Sequence, residues 1–150
     1  MRAWRLAGAV AGAVVVMDQA VKQIVVSSVE RESHTRFFIG IDLTYTRNRG
    51  VAFGALGGGG TLVTVLTIAA VSGLAIYFAF HTAKPGLWLP FGVVAGGALG
   101  NLADRARDGS VIDFIKPVFW LAFNLADVAI VLGILGLLYV IEGPRARRER

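Results

Sequence analysis

Asp113 and Asp127 stand fourteen residues apart in surroundings that offer a carboxylate little company. Asp127 interrupts the otherwise apolar stretch 121–132, and Asp113 lies in Val111-Ile112-Asp113-Phe114-Ile115. An ionisable group in a membrane-length apolar segment costs kilocalories, so it marks a functional site by default. Two carboxylates close together in a low-dielectric site cannot both ionise; they share one proton and titrate as a unit. Such a pair suits hydrolysis. The ionised partner draws a proton from water as that water attacks, and the protonated partner polarises the carbonyl.

Other hydrolytic chemistries lack parts. The absence of cysteine removes thiolate catalysis, disulfides and cysteine-based metal sites together. Ser27, Ser28, Ser33, Ser72 and Ser110 have no histidine placed as their base. His34 and His81 fall singly in surface loops, without a second histidine or an acidic cluster, and read as solvated residues. Acidic residues are too few at any locus for the roughly six oxygens a hard divalent cation takes. No metal and no other cofactor is expected.

Further polar groups gather at the end of an apolar run, in Gly96-Gly97-Ala98-Leu99-Gly100-Asn101-Leu102-Ala103-Asp104-Arg105. On a helix Gly97, Asn101 and Arg105 follow at i,i+4 steps, with Gly100 and Asp104 beside them. Glycines admit a close backbone or a substrate, and Asn101 can both donate and accept. Small-residue helix packing explains the glycines but not the three polar residues. Asn124 and Asp127, at i,i+3, share one side of the last apolar segment. Asp18 and Lys22, at i,i+4, share a face of the first. That pair reads as an ion pair near the membrane surface, a support for a site, or a proton-carrying carboxylate.

The elements that must position these groups are long and apolar. Residues 6–29, 61–80, 85–103 and 118–141 run 24, 20, 19 and 24 residues, against roughly 17–25 needed to cross a bilayer. The chain of 150 residues is 55% hydrophobic and 17% charged, whereas a soluble domain is nearer roughly a quarter charged. Four spans consume most of it, so residues 1–150 form a single membrane domain. The fold class expected is all-α, four transmembrane helices with a small extracytoplasmic β element. That β element comes from residues 30–60, where Ile39, Ile41, Leu43 and Tyr45 alternate with Gly40, Asp42, Thr44 and Thr46. This is the period of a half-exposed strand at the membrane surface. Gly57-Gly58-Gly59-Gly60 then reads as a flexible entry into the second span.

Net charge is +5. On a soluble protein this would raise nucleic acid as a partner; here the basic residues flank the spans and face lipid headgroups. Basic residues divide evenly between the two sides, and the tail Arg145-Ala146-Arg147-Arg148-Glu149-Arg150 tips the expectation to both termini in the cytoplasm. Arg2 and Arg5 before an apolar stretch imitate a secretory signal. However, Asp18-Gln19-Ala20-Val21-Lys22 offers no small-x-small cleavage site and apolar residues resume at Ile24, so a retained span is expected.

Five motifs occur in order: Asp18-Gln19-x-x-Lys22, Asn48-x-Gly50-Val51-Ala52-Phe53, Gly96-Gly97-x-x-Gly100-Asn101-x-x-Asp104-Arg105, Val111-x-Asp113-Phe114 and Phe123-Asn124-x-Ala126-Asp127. Together they resemble the bacterial lipoprotein signal peptidase (signal peptidase II) family over nearly the whole chain. The resemblance implies a four-helix aspartyl endopeptidase of the bacterial inner membrane, monomeric, with both termini cytoplasmic and its site towards the extracytoplasmic face. Its partner would be a lipid-modified prolipoprotein, cut just before a cysteine carrying diacylglycerol. By the family pattern Asp113 and Asp127 match the catalytic pair. Asn48, Asn101, Arg105 and Asn124 match polar residues lining the site, and Asp18 and Lys22 match a supporting pair. Gly96, Gly97 and Gly100 are expected to leave room for the signal helix. The run of glycines at 57–60 is richer than the pattern suggests. The competing reading is a small proton-coupled transporter using Asp18, but Lys22 one turn away would hold Asp18 ionised, and Asn101, Asp104, Arg105, Asp113 and Asp127 would be left without a role.

Overall fold

In the computed structural model the described residues are 1–31, 34–50 and 59–143. Four helices and three strands follow in the order α1 (Arg2–Ser28), β1 (His34–Phe38), β2 (Ile41–Asn48), α2 (Gly59–Phe80), α3 (Trp88–Asp108), β3 (Val111–Pro117) and α4 (Leu125–Glu142). Three of the helices, α1, α2 and α4, are long and apolar enough to cross a membrane. Their outward side chains suit lipid: Ile24, Val65, Ile68, Ile76, Val131, Leu132 and Leu135 are all exposed.

α3 is different because it is the interior helix. It packs on α1, α4 and α2, and Pro90, Phe91, Gly92, Val94, Gly96, Gly97, Gly100, Asn101 and Asp104 are among its buried residues. Its last two turns carry Asn101 and Asp104 buried inside the bundle, Arg105 half-buried, and Arg107 and Asp108 exposed at its end. It runs past residue 103, where the apolar pattern ends, and stops at Gly109. There φ of 63° lets the backbone turn left-handed and return its N–H to the Arg105 carbonyl.

The glycines of α3 do not leave space for another helix. A Cβ at Gly96 would meet the Ala11 carbonyl oxygen of α1 at 2.7 Å, and one at Gly97 the Ala126 carbonyl oxygen of α4 at 2.5 Å. At Gly100 it would meet Oδ2 of Asp18 at 2.7 Å. The expected room for a signal helix is thus already filled by α1 and α4; Gly97 holds the bundle together behind the site. Gly97→Ala is therefore expected to destabilise the protein by about 1–3 kcal/mol, the usual cost of overpacking. Thermal unfolding in detergent checks this, and an unchanged midpoint would refute the close packing.

At one end of the bundle Ala7, Phe78, Leu87, Phe91, Val94, Ala95 and Leu137 form a core. Phe78 stacks on Phe91 at 4.2 Å, and Trp4 sets its edge against both. At the other end Val25 of α1 packs with Tyr45, Ile112 and Phe114 of the sheet. That second core fixes the sheet to the helices.

The sheet is antiparallel in the order β1-β2-β3. The alternating stretch is strand β2 from Ile41 onwards, but Ile39 lies in the turn before it. β3 is an addition the alternation did not show, since Val111–Phe114 are all buried. Between β2 and β3 the register shifts between Leu43 and Thr46, so that Leu43 faces Ile115 while Thr46 faces Asp113. A single-residue shift reverses which face each side chain takes. The shift thereby places Asn48 diagonally across from Asp113, on the same face.

The last helix begins later than its hydrophobicity suggests. Residues 118–124 are not helical: the chain turns after Pro117, and Phe123 pairs back onto Ile115 through two hydrogen bonds of 2.9 Å. Residues 118–121 are apolar and exposed, which explains why hydropathy alone extends the span over them. Asp127 consequently stands in the first turn of α4, not within it.

Candidate active site

The pairing of Phe123 on Ile115 brings the start of α4 beside β3. Asn124 adopts an extended backbone and caps α4. Its side-chain oxygen accepts from the Asp127 N–H at 2.9 Å, and Oδ2 of Asp127 accepts from the Asn124 N–H at 3.2 Å. This is a capping box, in which two orphan backbone donors are satisfied reciprocally. An acid at this position also suits the positive end of the helix dipole.

The same Asn124 reaches Asp113. Its Nδ2 donates to Oδ1 of Asp113 at 2.7 Å and to Oδ1 of Asn101 at 3.2 Å. Nδ2 of Asn101 donates to Oδ1 of Asp127 at 2.8 Å, and Nδ2 of Asn48 donates to Oδ2 of Asp113 at 2.9 Å. Each of the four carboxylate oxygens therefore accepts one N–H. Asp113, Asn101 and Asn124 are buried, while Asp127 is only partly so. The two carboxyl groups are joined through Asn124 and Asn101, residues from two helices.

Behind this pair lies a buried ionic cluster. The Lys22 ammonium meets Oδ2 of Asp18 at 2.7 Å, Oδ2 of Asp104 at 2.7 Å and Oδ1 of Asn101 at 3.0 Å. All three of its hydrogens are used. Because Oδ1 of Asn101 faces both Lys22 and the Asn124 amide, its Nδ2 must face Asp127, so the lysine and Asn124 together set the amide's orientation. Oδ1 of Asp18 accepts the Ala126 N–H at 3.0 Å, another orphan donor of the first turn of α4. Sequence spacing placed Asp18 and Lys22 on one face but could not show that this face is interior; it is, at 0% and 2% exposure.

Gln19 and Arg107 complete the cluster; Gln19 stood in the first motif without a role, and Arg107 in none. Gln19 donates to Oδ1 of Asp104 at 2.9 Å, while Arg107 donates to the Gln19 amide oxygen and reaches Oδ1 of Asp104 at 3.3 Å. The signal that could have found them is that they extend Asp18 and Asp104 by one and three residues.

Arg105 is half-buried and lines a cavity of about 360 Å³ with Asn48, Asp113, Lys116, Thr46 and Arg47. Among the described residues no hydrogen bond or ion pair engages its guanidinium. A cation left unpaired beside a carboxylate pair can receive a carbonyl oxygen as it gains negative charge. We expect Arg105→Ala to lower turnover by at least about a hundredfold, and Arg107→Ala, mostly exposed, to lower it much less. Equal small losses in a steady-state cleavage assay would make Arg105 an interfacial anchor only.

Burial lifts the Asp113 carboxyl to a pKa of about 6, and the charge of Asp127 adds to the rise. The hydrogen bonds from Asn48 and Asn124, and the charge of Lys22, oppose it. Val51-Ala52-Phe53 and Gly57-Gly58 of the sequence motifs lie outside the described residues. No group of three or more metal-ligating side chains gathers among the described residues.

The fold and the site define a membrane enzyme whose polar groups converge where helices α1, α3 and α4 meet a small sheet. A family model described as signal peptidase (SPase) II matches residues 10–142. A lipoprotein signal peptidase of Syntrophomonas wolfei is 43% identical over 139 residues, covering 91% of this chain and 93% of its own. That of Halothermothrix orenii is 40% identical over 122 residues, covering 80% and 83%. A solved structure of a bacterial membrane enzyme, obtained by the in meso method at 1.9 Å resolution, is similar with a TM-score of 0.79 at 27% identity. The match covers 90% of this chain and 91% of that one. The chain belongs to the signal peptidase II family, the lipoprotein signal peptidases, and is a protease that removes signal peptides from prolipoproteins. The transporter reading is not supported: both oxygens of Asp18 are bound, to Lys22 and to the Ala126 N–H.

Proposed function

We propose that Asp113 and Asp127 are the catalytic pair of an aspartyl endopeptidase, cutting on the N-terminal side of a diacylglyceryl-modified cysteine. The observation that carries this is the hydrogen-bonded run from Asp113 through Asn124 and Asn101 to Asp127. Proximity favours one shared proton, since two carboxyl groups joined through two asparagines in a largely buried site resist ionising together.

Burial raises the Asp113 carboxyl, so Asp113 is assigned the shared proton and Asp127 the role of base. Asp127 takes a proton from a water as its oxygen attacks the scissile carbonyl carbon. Asp113 gives its proton to the carbonyl oxygen, and the Arg105 guanidinium stabilises the charge that develops there. Collapse of the resulting diol passes the Asp127 proton to the departing cysteine nitrogen, while one diol hydroxyl returns a proton to Asp113. No cofactor enters these steps.

In this reading α3 is the fourth transmembrane helix, buried enough to tolerate its polar end. Both termini are cytoplasmic, and the site at the sheet end opens on the extracytoplasmic side of the inner membrane. One chain supplies every site group, so the monomer suffices. The diacylglyceryl group stays in the outer leaflet and holds the bond at the depth of the pair.

The test is a gel-shift cleavage assay with prolipoprotein substrate, lipidated and unlipidated. Lipidated precursor should be cut readily and unlipidated precursor very poorly; equal cleavage of both would remove the lipid from the mechanism. The pH dependence tests the proton assignment. Asp113 carries its proton below about pH 6, so kcat/KM should fall by about tenfold per pH unit well above that value. The Asn48 hydrogen bond favours the carboxylate, so Asn48→Ala should move this alkaline limb to higher pH. A limb that stays in place in that variant belongs to another group.

A further inference from the structure

The polar cavity that holds Arg105, Asn48 and Asp113 has a further cation that the reaction does not use. Lys116 lines it from β3, half-buried and three residues beyond Asp113. Three residues of strand span about 10 Å. Arg47 lines the same cavity but is already held, by Asp108 at 3.3 Å and by the Tyr45 hydroxyl at 3.0 Å. Asp42 stands opposite Lys116 across β2 and β3, and opposite Arg36 across β1 and β2. Among the described residues it forms an ion pair with neither, so this row of the sheet carries two cations to one anion. No hydrogen bond or ion pair among the described residues engages the Lys116 ammonium.

We infer that Lys116 is a specificity-determining residue, which makes the enzyme favour precursors with an acidic side chain at the second or third residue after the cysteine. This rests on the peptidase reading above. The bond being cut sits at Asp113 and Arg105, and an extended chain advances about 3.3 Å per residue. A cation about 10 Å away therefore meets side chains two or three residues from that bond. On the signal side those residues belong to an apolar segment in the bilayer, where a carboxylate costs kilocalories. On the mature side the chain leaves towards water and tolerates either charge. There an unpaired ammonium attracts a carboxylate and repels a second cation, and both effects enter the discrimination.

Charge sets the chemistry of the group recognised, and the cavity sets its source. Arg47, Arg105 and Lys116 are the cations of the cavity wall and Asp113 is its carboxyl, so the wall is positive beyond the proposed reacting group. An anionic lipid headgroup also answers to that charge, but it would fill the space in which Arg105 and Asp113 meet the scissile bond. A peptide side chain reaches Lys116 while its own backbone stays on that bond. Because Lys116 is partly exposed, its effect is that of a surface pair. It biases the choice among substrates and does not decide whether cleavage occurs.

The test uses the full-length enzyme in detergent micelles. Two diacylglyceryl-modified prolipoproteins carry Asp-Asp or Lys-Lys at the second and third residues after the cysteine. Competing both in one reaction gives the ratio of their kcat/KM values, from which any difference in the amount of folded enzyme cancels. The wild-type chain should favour the acidic precursor by about tenfold. Lys116→Met should cut that preference by about threefold or more, and Lys116→Glu should reverse it. Salt at about 0.5 M, where charges are screened beyond roughly 4 Å, should weaken the wild-type preference. No cleavage of either precursor by the wild-type chain would overturn the peptidase reading and the role of Lys116 with it. Cleavage with the same ratio in wild type and Lys116→Glu overturns the role of Lys116 alone. So does a wild-type preference that disappears when phosphatidylglycerol is added to the micelles, since the lysine then faces a lipid headgroup.

Discussion

Asp113→Asn and Asp127→Asn should each lower prolipoprotein cleavage by at least about a thousandfold, within the span assigned to positioned acid–base groups. The loss should not come from unfolding. Asparagine keeps the shape of aspartate, and at position 127 its side-chain oxygen can still accept the Asn124 N–H. The capping box is worth about 1 kcal/mol in any case. Immunoblots of membrane fractions should show wild-type amounts of both variants, while the gel-shift assay shows uncut precursor. Substantial turnover in either variant would leave the other carboxylate acting alone and end the assignment of a pair.

Lys22→Met should be nearly as damaging for a different reason. Methionine keeps much of the length of lysine but removes the ammonium that meets Asp18, Asp104 and Asn101. Asp18 then remains buried without a counterion and Asp104 keeps only Arg107, and breaking a buried pair costs about 3–5 kcal/mol. Asn101 also loses the shorter of the two bonds to its amide oxygen and keeps only that from Asn124, so the amide is held less firmly towards Asp127. A misplacement of this kind lowers turnover by about a hundredfold even far from the bond that breaks. Lys22→Arg restores charge without the compact geometry and should recover folded protein more than activity. Thermal unfolding and turnover measured on the same preparations separate the two effects. Full activity in Lys22→Met would show that the amide orientation does not depend on the ammonium.

The sequence displayed the spans and the polar positions but not how they are joined. Hydropathy found all four helices, since long apolar runs carry their own signal. It placed the start of α4 seven residues early because residues 118–121 are apolar yet lie in a turn. Strand β2 announced itself by alternation, because one face is half-exposed. β3 did not, because a strand buried on both faces from Val111 to Phe114 loses the period of two. Asp113, Asp127, Asn101 and Asn124 were legible as improbable polar residues at or beside membrane-length segments, whereas Asn48, in the loop, entered only through the family motif. Their mutual contacts depend on the β2–β3 register shift and on the return of Phe123 to Ile115, neither of which leaves a local pattern. The glycines of α3 were legible as sites of close approach; that α1 and α4 fill them required coordinates.

The hydrogen bond from the Ala126 N–H to Asp18 joins residues 108 positions apart, and it has a consequence for biogenesis. α1 is the first helix to emerge from the ribosome and α4 the last. Until α4 arrives, the bilayer contains Asp18 with one oxygen unsatisfied, and Asn101 with no aspartate to serve. Such a chain lacks one aspartate of the proposed pair, and it also carries an incompletely hydrogen-bonded polar cluster that a membrane disfavours. Completing the last helix relieves that defect and supplies Asn124 and Asp127 in the same event. The polar cluster and the proposed catalytic pair thus depend on the same helix, so a chain whose α4 fails to pack would lose both at once.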